Sequence, residues 1–405
     1  MLSTTALATD TPGETLGVYV HFPYCLQKCP YCDFLSVKVE RPAIPHAAYA
    51  DAVIAELERR AAALPAGPPL RSVFFGGGTP SLWQPSELGR VLATVLRLFR
   101  SRTASVEVTV ECNPSSFDAR VADGLRLAGA NRISLGVQSL NAERLQFLGR
   151  LHDASQALQA IAVAQQAGFE RVSADFIFGV AGQTPADATL EALTLARTGI
   201  SHLSAYALTI EPGTRFGELS RRGRLPLLTE DSVAESFAAV EHVLEAEGFC
   251  HYEVSNYARA GAEARHNLGY WRGEPYLGVG VGAWGTVSDA AGRVRYRNTP
   301  SIERYLALSA DAALPLDELS PLVAVIEKLA PDVLVSERLM LGLRLAEGVD
   351  LEHTRESCGV DVLTPGRRRA IAKWMDRGAL YLHENRLGLR KDHWLLADGI
   401  ISDLM

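Results

Sequence analysis

Six short runs, Leu16–Phe22, Arg71–Phe75, Ser105–Glu111, Arg132–Gln138, Arg171–Phe178 and His202–Leu208, are apolar or β-branched almost throughout. Runs of this length without polar alternation read as strands buried on both faces, and such strands belong to parallel sheets covered by helices. Between them stand helical patterns at Ala47–Leu64, Pro85–Arg100, Ala119–Ala128, Ala154–Ala167 and Pro185–Thr198, with apolar residues recurring every three or four positions. Their punctuation agrees: Gln84 or Ser86 can cap the second helix, Asp153 or Ser155 the fourth, and Gly168 stands just past the fourth helix's last apolar residue. Six βα units fall short of the eight that close a full barrel. The expected fold class is therefore α/β, a partial (β/α)6 barrel with its core at about 16–230.

After Leu208 the pattern changes to a helix at about Asp231–Glu247, β-like runs near Cys250–Tyr257 and Tyr276–Val281, a Gly-rich stretch from Gly278 to Gly285, and a turn at Asp289–Gly292. From about Pro321 the chain reads as a small helical unit, with helices at Ser336–Leu345 and Gly366–Asp376. A β wing, Leu380–Leu382 and Leu387–Leu389, is joined by His383–Arg386. This divides the chain into 1–310, the barrel with a following segment, and 311–405, a small, mainly helical C-terminal domain.

With 47% hydrophobic and 21% charged residues the chain lies in the ordinary globular range, which excludes disordered classes. A net charge of -7 speaks against affinity for nucleic acid or anionic membranes. Met1 to Leu16 holds no Lys or Arg and no long apolar core, and no window approaches a membrane span. The expectation is a cytoplasmic protein that is not integral to a membrane, with peripheral association at a membrane surface left open. Six cysteines are too few for a disulfide scaffold, and three of them fall within eight positions, a pattern that suggests a metal site in a reducing compartment.

Those three form Cys25-x3-Cys29-x2-Cys32, directly after the first strand. Three thiolates can hold three irons of a [4Fe–4S] cube and leave the fourth iron open. A zinc ion held by the same cysteines and His21 is equally compatible with the spacing. Polar or Gly-rich residues follow every strand: Gly76-Gly77-Gly78-Thr79-Pro80, Glu111-Cys112-Asn113-Pro114, Gln138-Ser139, Asp175 with Gly179, and Tyr206-Ala207-Leu208-Thr209. The C-terminal edge of such strands is where active sites assemble.

By its cysteine spacing and the glycine run after strand two, the sequence resembles the radical S-adenosylmethionine superfamily. The resemblance implies a cluster whose open iron chelates S-adenosylmethionine. It narrows, over nearly the whole chain, to the oxygen-independent coproporphyrinogen III oxidases and their relatives, with Tyr19-Val20-His21-Phe22-Pro23-Tyr24-Cys25 as the cluster entrance. Carried across by that resemblance, Tyr19, Tyr31, Gly77, Gly78, Thr79, Glu111, Gln138, Arg150, Asp175 and Ala207 are the S-adenosylmethionine contacts, and Cys25, Cys29 and Cys32 the metal ligands. Glu111 and Asp175 suit ribose hydroxyls, and Arg150 suits a carboxylate.

The subfamily divides between oxidases and heme chaperones. The oxidases carry a further cysteine two positions after the third ligand, where this chain has Phe34. Arg265-His266-Asn267-Leu268-Gly269-Tyr270-Trp271 contains the chaperones' HNxxYW motif, which makes His266, Asn267, Tyr270 and Trp271 the heme candidates, with Arg265 free to meet a propionate. The expected function is heme binding and transfer to recipient apo-hemoproteins, some of them at the membrane. The alternatives are coproporphyrinogen III oxidation, or a zinc-stabilised binding module. Cys112, Cys250 and Cys358 are expected as small buried hydrophobes, and Arg367-Arg368-Arg369 as a solvated helix face.

Overall fold

The structure is a computed structural model that describes residues 14–64, 68–289, 292–309 and 320–405. The N-terminal stretch read for a targeting signal falls largely outside these residues, as do positions 290 and 291 of the expected turn and the boundary at 310/311.

Strands β1 (Leu16–Phe22), β2 (Leu70–Gly77), β3 (Arg102–Cys112), β4 (Arg132–Gln138), β5 (Arg171–Phe178) and β6 (His202–Ala207) lie side by side in chain order, every pair parallel. Helices α1 (His46–Ala63), α2 (Pro85–Leu98), α3 (Ala119–Ala128), α4 (Ala154–Gln166) and α5 (Pro185–Ala196) return the chain between them. Local chemistry sets their limits. Asp153 caps α4 in a reciprocal box with Gln156, and Gly168, at φ +83°, takes the left-handed conformation just beyond its end. Gln84 precedes α2 without a side-chain cap bond, leaving Pro85 to start the helix.

Alternation along the strands sorts the residues. Val18, Val20, Val73, Phe75, Val108 and Val110 join the core shared with the helices. Tyr19, Phe74 and Glu111 crowd around Gly76 on the other face, inside the barrel.

The barrel strands belong to a larger, twelve-stranded sheet. After helix α6 (Glu230–Ala246), strands β7 (Cys250–Glu253) and β8 (Asn256–Ala258) form a hairpin, and β8 pairs antiparallel with β6. A short helix, α7 (Arg265–Trp271), leads to β9 (Tyr276–Val279), which runs parallel to β1 on the opposite flank. Strands β10 (Trp284–Asp289), β11 (Gly292–Asn298) and β12 (Val323–Leu329) extend that flank antiparallel. Residues 323–329, expected inside the helical unit, thus belong to the sheet, and helices resume with α8 (Pro331–Gly342).

Two surface readings are corrected. Cys250 is exposed at the outer strand of the sheet, whereas Cys112 and Cys358 are buried as expected. Arg367 is buried, donating to Leu404 O at 3.1 Å, Val362 O at 3.2 Å and Ser336 Oγ at 2.7 Å; it ties the C-terminus down, while Arg368 and Arg369 are exposed. Among the described residues no helix is long and apolar enough to cross a membrane.

Candidate functional site

Beyond Phe22 the chain forms a two-residue strand, Tyr24–Cys25, paired with Val37–Lys38, so the cysteine loop is pinched at its base. Thr79 Oγ1 donates to Cys25 Sγ at 3.3 Å and Arg150 Nη1 to Cys29 Sγ at 3.5 Å, while Cys32 N reaches Cys29 O at 3.2 Å. The loop is also held from outside, by Gln27 Nε2 on Gly149 O at 2.9 Å and by Phe216 N on Pro30 O at 2.8 Å.

Burial pushes the Cys25 thiol up and the Cys32 thiol to about 11, and in both the neighbouring Cys29 adds to the rise. The three sulfurs therefore sense one another. Yet among the described residues no group of three or more His, Cys, Asp or Glu is placed to hold a single metal ion. His21 has both ring nitrogens engaged, Nδ1 with Tyr19 Oη at 3.0 Å and Nε2 with Leu35 O at 2.8 Å. Such a ring is no fourth zinc ligand. A cube, which takes one thiolate at each of three iron corners, suits the set.

The glycine run closes against this loop. A Cβ on Gly78 would lie 2.7 Å from Pro23 C and 2.8 Å from Tyr24 O, so the two backbones meet where no side chain fits. Gly77, at φ +111°, donates its N–H to Glu111 Oε2 at 3.1 Å. Glu111 is pushed up to about 8, first by burial and then by the charge of Asp175, with the Gly77 N–H opposing. Asp175 is raised by burial against the pull of Ser204 and Ser134, the latter at 3.2 Å.

Arg150 stretches between the loop and β4. Its Nη2 donates to Gly136 O at 2.8 Å, and its Nε is buried without a partner among the described residues. Gly136 makes room: a Cβ there would stand 2.9 Å from Gln138 Nε2 and 3.2 Å from Arg150 Nη2. Gln138 itself has a positive φ of 66°, which turns the chain at the end of β4. Tyr31 packs near Phe216 at 6.4 Å, its hydroxyl raised by burial with Arg150 opposing, and Ala207 ends β6 opposite Phe178.

Asn113, which the sequence reading left off the contact set, lines one crevice with Cys29, Thr79 and Arg150. Its position two residues past Glu111, at the same strand end, was the available signal. An under-bonded buried guanidinium, two inward carboxyls and a glycine edge fit the carboxylate and sugar of S-adenosylmethionine.

The motif at 265–271 lies at the other end of the strands. His266 is buried, with Nδ1 2.9 Å from Ser72 Oγ and Nε2 2.8 Å from Tyr270 Oη, and its ring stacks on Phe74 at 5.0 Å. Burial, then Arg71, hold it well below the usual imidazole range, so it is neutral. Its backbone N–H meets Glu107 Oε1 at 3.1 Å, so α7 is hydrogen-bonded to a buried residue in the middle of β3, level with Ser72 near the start of β2. Asn267, Tyr270 and Trp271 are half-buried. Arg265 spends its Nη1 on Ser105, at 2.9 Å to O and 2.5 Å to Oγ. His251 is bonded to Glu241 and Val254 and stacked on Tyr257, so it is not free to serve as a second iron ligand.

An open six-stranded barrel with three thiols and a glycine edge on one rim defines the class. The description of the Radical SAM superfamily matches residues 19–193, and that of the HemN C-terminal domain matches 329–395. The chain is 37% identical over 398 residues to heme chaperone HemW of Mycobacterium tuberculosis, covering 97% of this chain and 96% of that one. It is 31% identical over 388 residues to heme chaperone HemW of Bacillus subtilis, covering 95% and 98%. The solved structure of the Escherichia coli coproporphyrinogen III oxidase HemN superposes with a TM-score of 0.77 over 96% of this chain and 90% of that one, at 20% identity, a likeness of fold. The chain belongs to the HemW family of radical SAM proteins. Membership implies a [4Fe–4S] cluster and S-adenosylmethionine.

Proposed function

We propose that this protein is a heme carrier that binds heme and passes it to recipient apo-hemoproteins. The observation that carries this reading is the end-to-end likeness to proteins named heme chaperones, in a chain with Phe34 where the oxidases have a further cysteine. In this reading Cys25, Cys29 and Cys32 hold the cluster, which supplies single electrons when reduced. Tyr19, Tyr31, Gly77, Gly78, Thr79, Glu111, Gln138, Arg150, Asp175 and Ala207 form the S-adenosylmethionine site. Arg150 binds the carboxylate through its unused Nε, and Asp175 accepts from the ribose. His266, Asn267, Tyr270 and Trp271 serve heme, and because both ring nitrogens of His266 are taken, it acts from behind, through Tyr270. Six free cysteines suit a reducing, cytoplasmic setting.

The test is an anaerobic hemin titration of the clustered protein, followed by transfer to an apo-hemoprotein, beside a coproporphyrinogen III decarboxylation assay with reductant and S-adenosylmethionine. Reversible heme binding with negligible decarboxylation is expected. Efficient carbon dioxide release would overturn the carrier reading.

A further inference from the structure

Between the antiparallel flank of the sheet and α8 lies a cavity of about 410 Å3, within the roughly 300–1000 Å3 of cofactor pockets. Tyr276 and Trp284 form its sheet side, and Leu334 and Leu341 its helix side. Two guanidinium groups enter the lining from separate elements, Arg293 of β11 and Arg338 of α8. The Arg293 side chain is 10% exposed and pairs with Glu14 through Nη2, yet its Nη1 is buried without a partner among the described residues. Arg338 forms no hydrogen bond or ion pair among the described residues; burial, then the neighbouring Arg293, disfavour its charge, with Cys358 and the Glu14 that Arg293 already holds opposing. A third arginine of the lining, Arg295, is already neutralised by Glu327 and Glu337.

Buried polar groups are ordinarily satisfied, so an apolar cavity lined by two under-used cations is matched to an apolar body that carries two anionic groups. A fatty acid brings one carboxylate. Heme brings two propionates on one edge of an apolar ring. The lining also includes Tyr270, whose hydroxyl meets His266 Nε2, so the 266–271 motif reaches this cavity directly. Tyr276 pairs with Gly17 near the start of β1, whereas the cysteine loop begins beyond Phe22. Five residues of strand put roughly 17 Å between those levels, so a ligand here leaves the thiol rim free.

We propose that this cavity is the heme site, with the propionates on Arg293 and Arg338 and the ring between the sheet and α8. The inference rests on the carrier reading and adds to it a place and a mode of recognition.

Hemin titration of the full-length clustered protein, followed in the Soret band, tests it. The double variant Arg293→Met with Arg338→Met should bind hemin at least about 100-fold more weakly, since two charge-assisted contacts are lost, while the iron–sulfur absorbance stays unchanged. Hemin dimethyl ester, its carboxylates masked, should bind wild type and this variant equally weakly. Thr286→Trp fills the cavity from β10 with both arginines kept, and should exclude hemin. Wild-type hemin affinity in both variants, or an ester bound as tightly as hemin, overturns this site and leaves the carrier reading standing. Failure of the wild-type protein to bind hemin at all overturns both.

Discussion

Replacing Glu111 by Gln tests whether the barrel interior is as dry as its packing implies. The carboxyl accepts the Gly77 N–H at 3.1 Å, and burial, then the Asp175 charge, raise it from 4.5 to about 8. A carboxyl that holds its proton more tightly folded than unfolded costs nothing below pH 4.5, and penalises the folded state progressively as pH climbs through that window. Linkage converts the difference to roughly 5 kcal/mol at full ionisation, of which about 4 kcal/mol falls between pH 5 and pH 9. Gln keeps the shape and the acceptor for Gly77 but cannot ionise. Urea unfolding of the cluster-free protein at pH 5 and pH 9 should therefore show a steep loss of stability in wild type and a flatter profile in Glu111→Gln. The wild type's loss should exceed the variant's by about 4 kcal/mol. Glu253, raised by burial to about 7, titrates in both proteins and cancels in the comparison. Parallel pH profiles for the two proteins would refute the reasoning and place Glu111 in contact with bulk water.

Replacing any one of Cys25, Cys29 or Cys32 by Ala should abolish the [4Fe–4S] cluster, read as loss of iron, sulfide and visible absorbance after anaerobic reconstitution; tight zinc binding by wild type without a cluster would contradict it. Arg367→Ala should destabilise the C-terminal domain by about 2 to 4 kcal/mol in chemical denaturation, since two buried carbonyls and the half-buried Ser336 hydroxyl lose a charged donor together. A change within the scatter of exposed arginine substitutions would show that the C-terminus is held by its apolar contacts alone.

The barrel was legible because strands buried on both faces are written as unbroken apolar runs: β1, β4 and β5 fall on the expected residues, as does α3. What failed had partners far away in the chain. Residues 323–329 show no apolar–polar alternation, and their partner is β11, so nothing local distinguishes this segment from the helical unit that follows. Arg367 is buried because Leu404 and Ser336 come to it, and no triplet of arginines announces that.

At the rim, the cysteine spacing and the strand-end residues pointed to one place, and the structure brings Cys29, Thr79 and Arg150 together there. At 265–271 the sequence marked a segment but left open which way its histidine turns. The signal was present: His266 and Tyr270 stand four apart, one helical turn, where side chains meet, and their 2.8 Å hydrogen bond follows from that spacing. The Glu56–Arg60 pair of α1 has the same spacing and was also missed; it is buried with Asn298 and Tyr305.

The anchoring of the cysteine loop has a consequence for how the protein is made. A zinc finger orders its chain around the ion and spends binding energy on doing so. Here the ordering comes from distant segments: Gln27 is held by Gly149, Cys29 by Arg150 and Pro30 by Phe216. On a growing chain the thiols leave the ribosome well ahead of those anchors, with Phe216 nearly 190 residues behind Pro30. At about 5–20 residues per second the interval is roughly 10 to 40 s. During that time three cysteines are in water with only the short Tyr24–Cys25 and Val37–Lys38 pairing to order them, open to oxidation or to stray metal. Cluster delivery thus belongs after barrel closure, and a cell that loads this protein efficiently must keep the nascent chain reduced until Phe216 has docked.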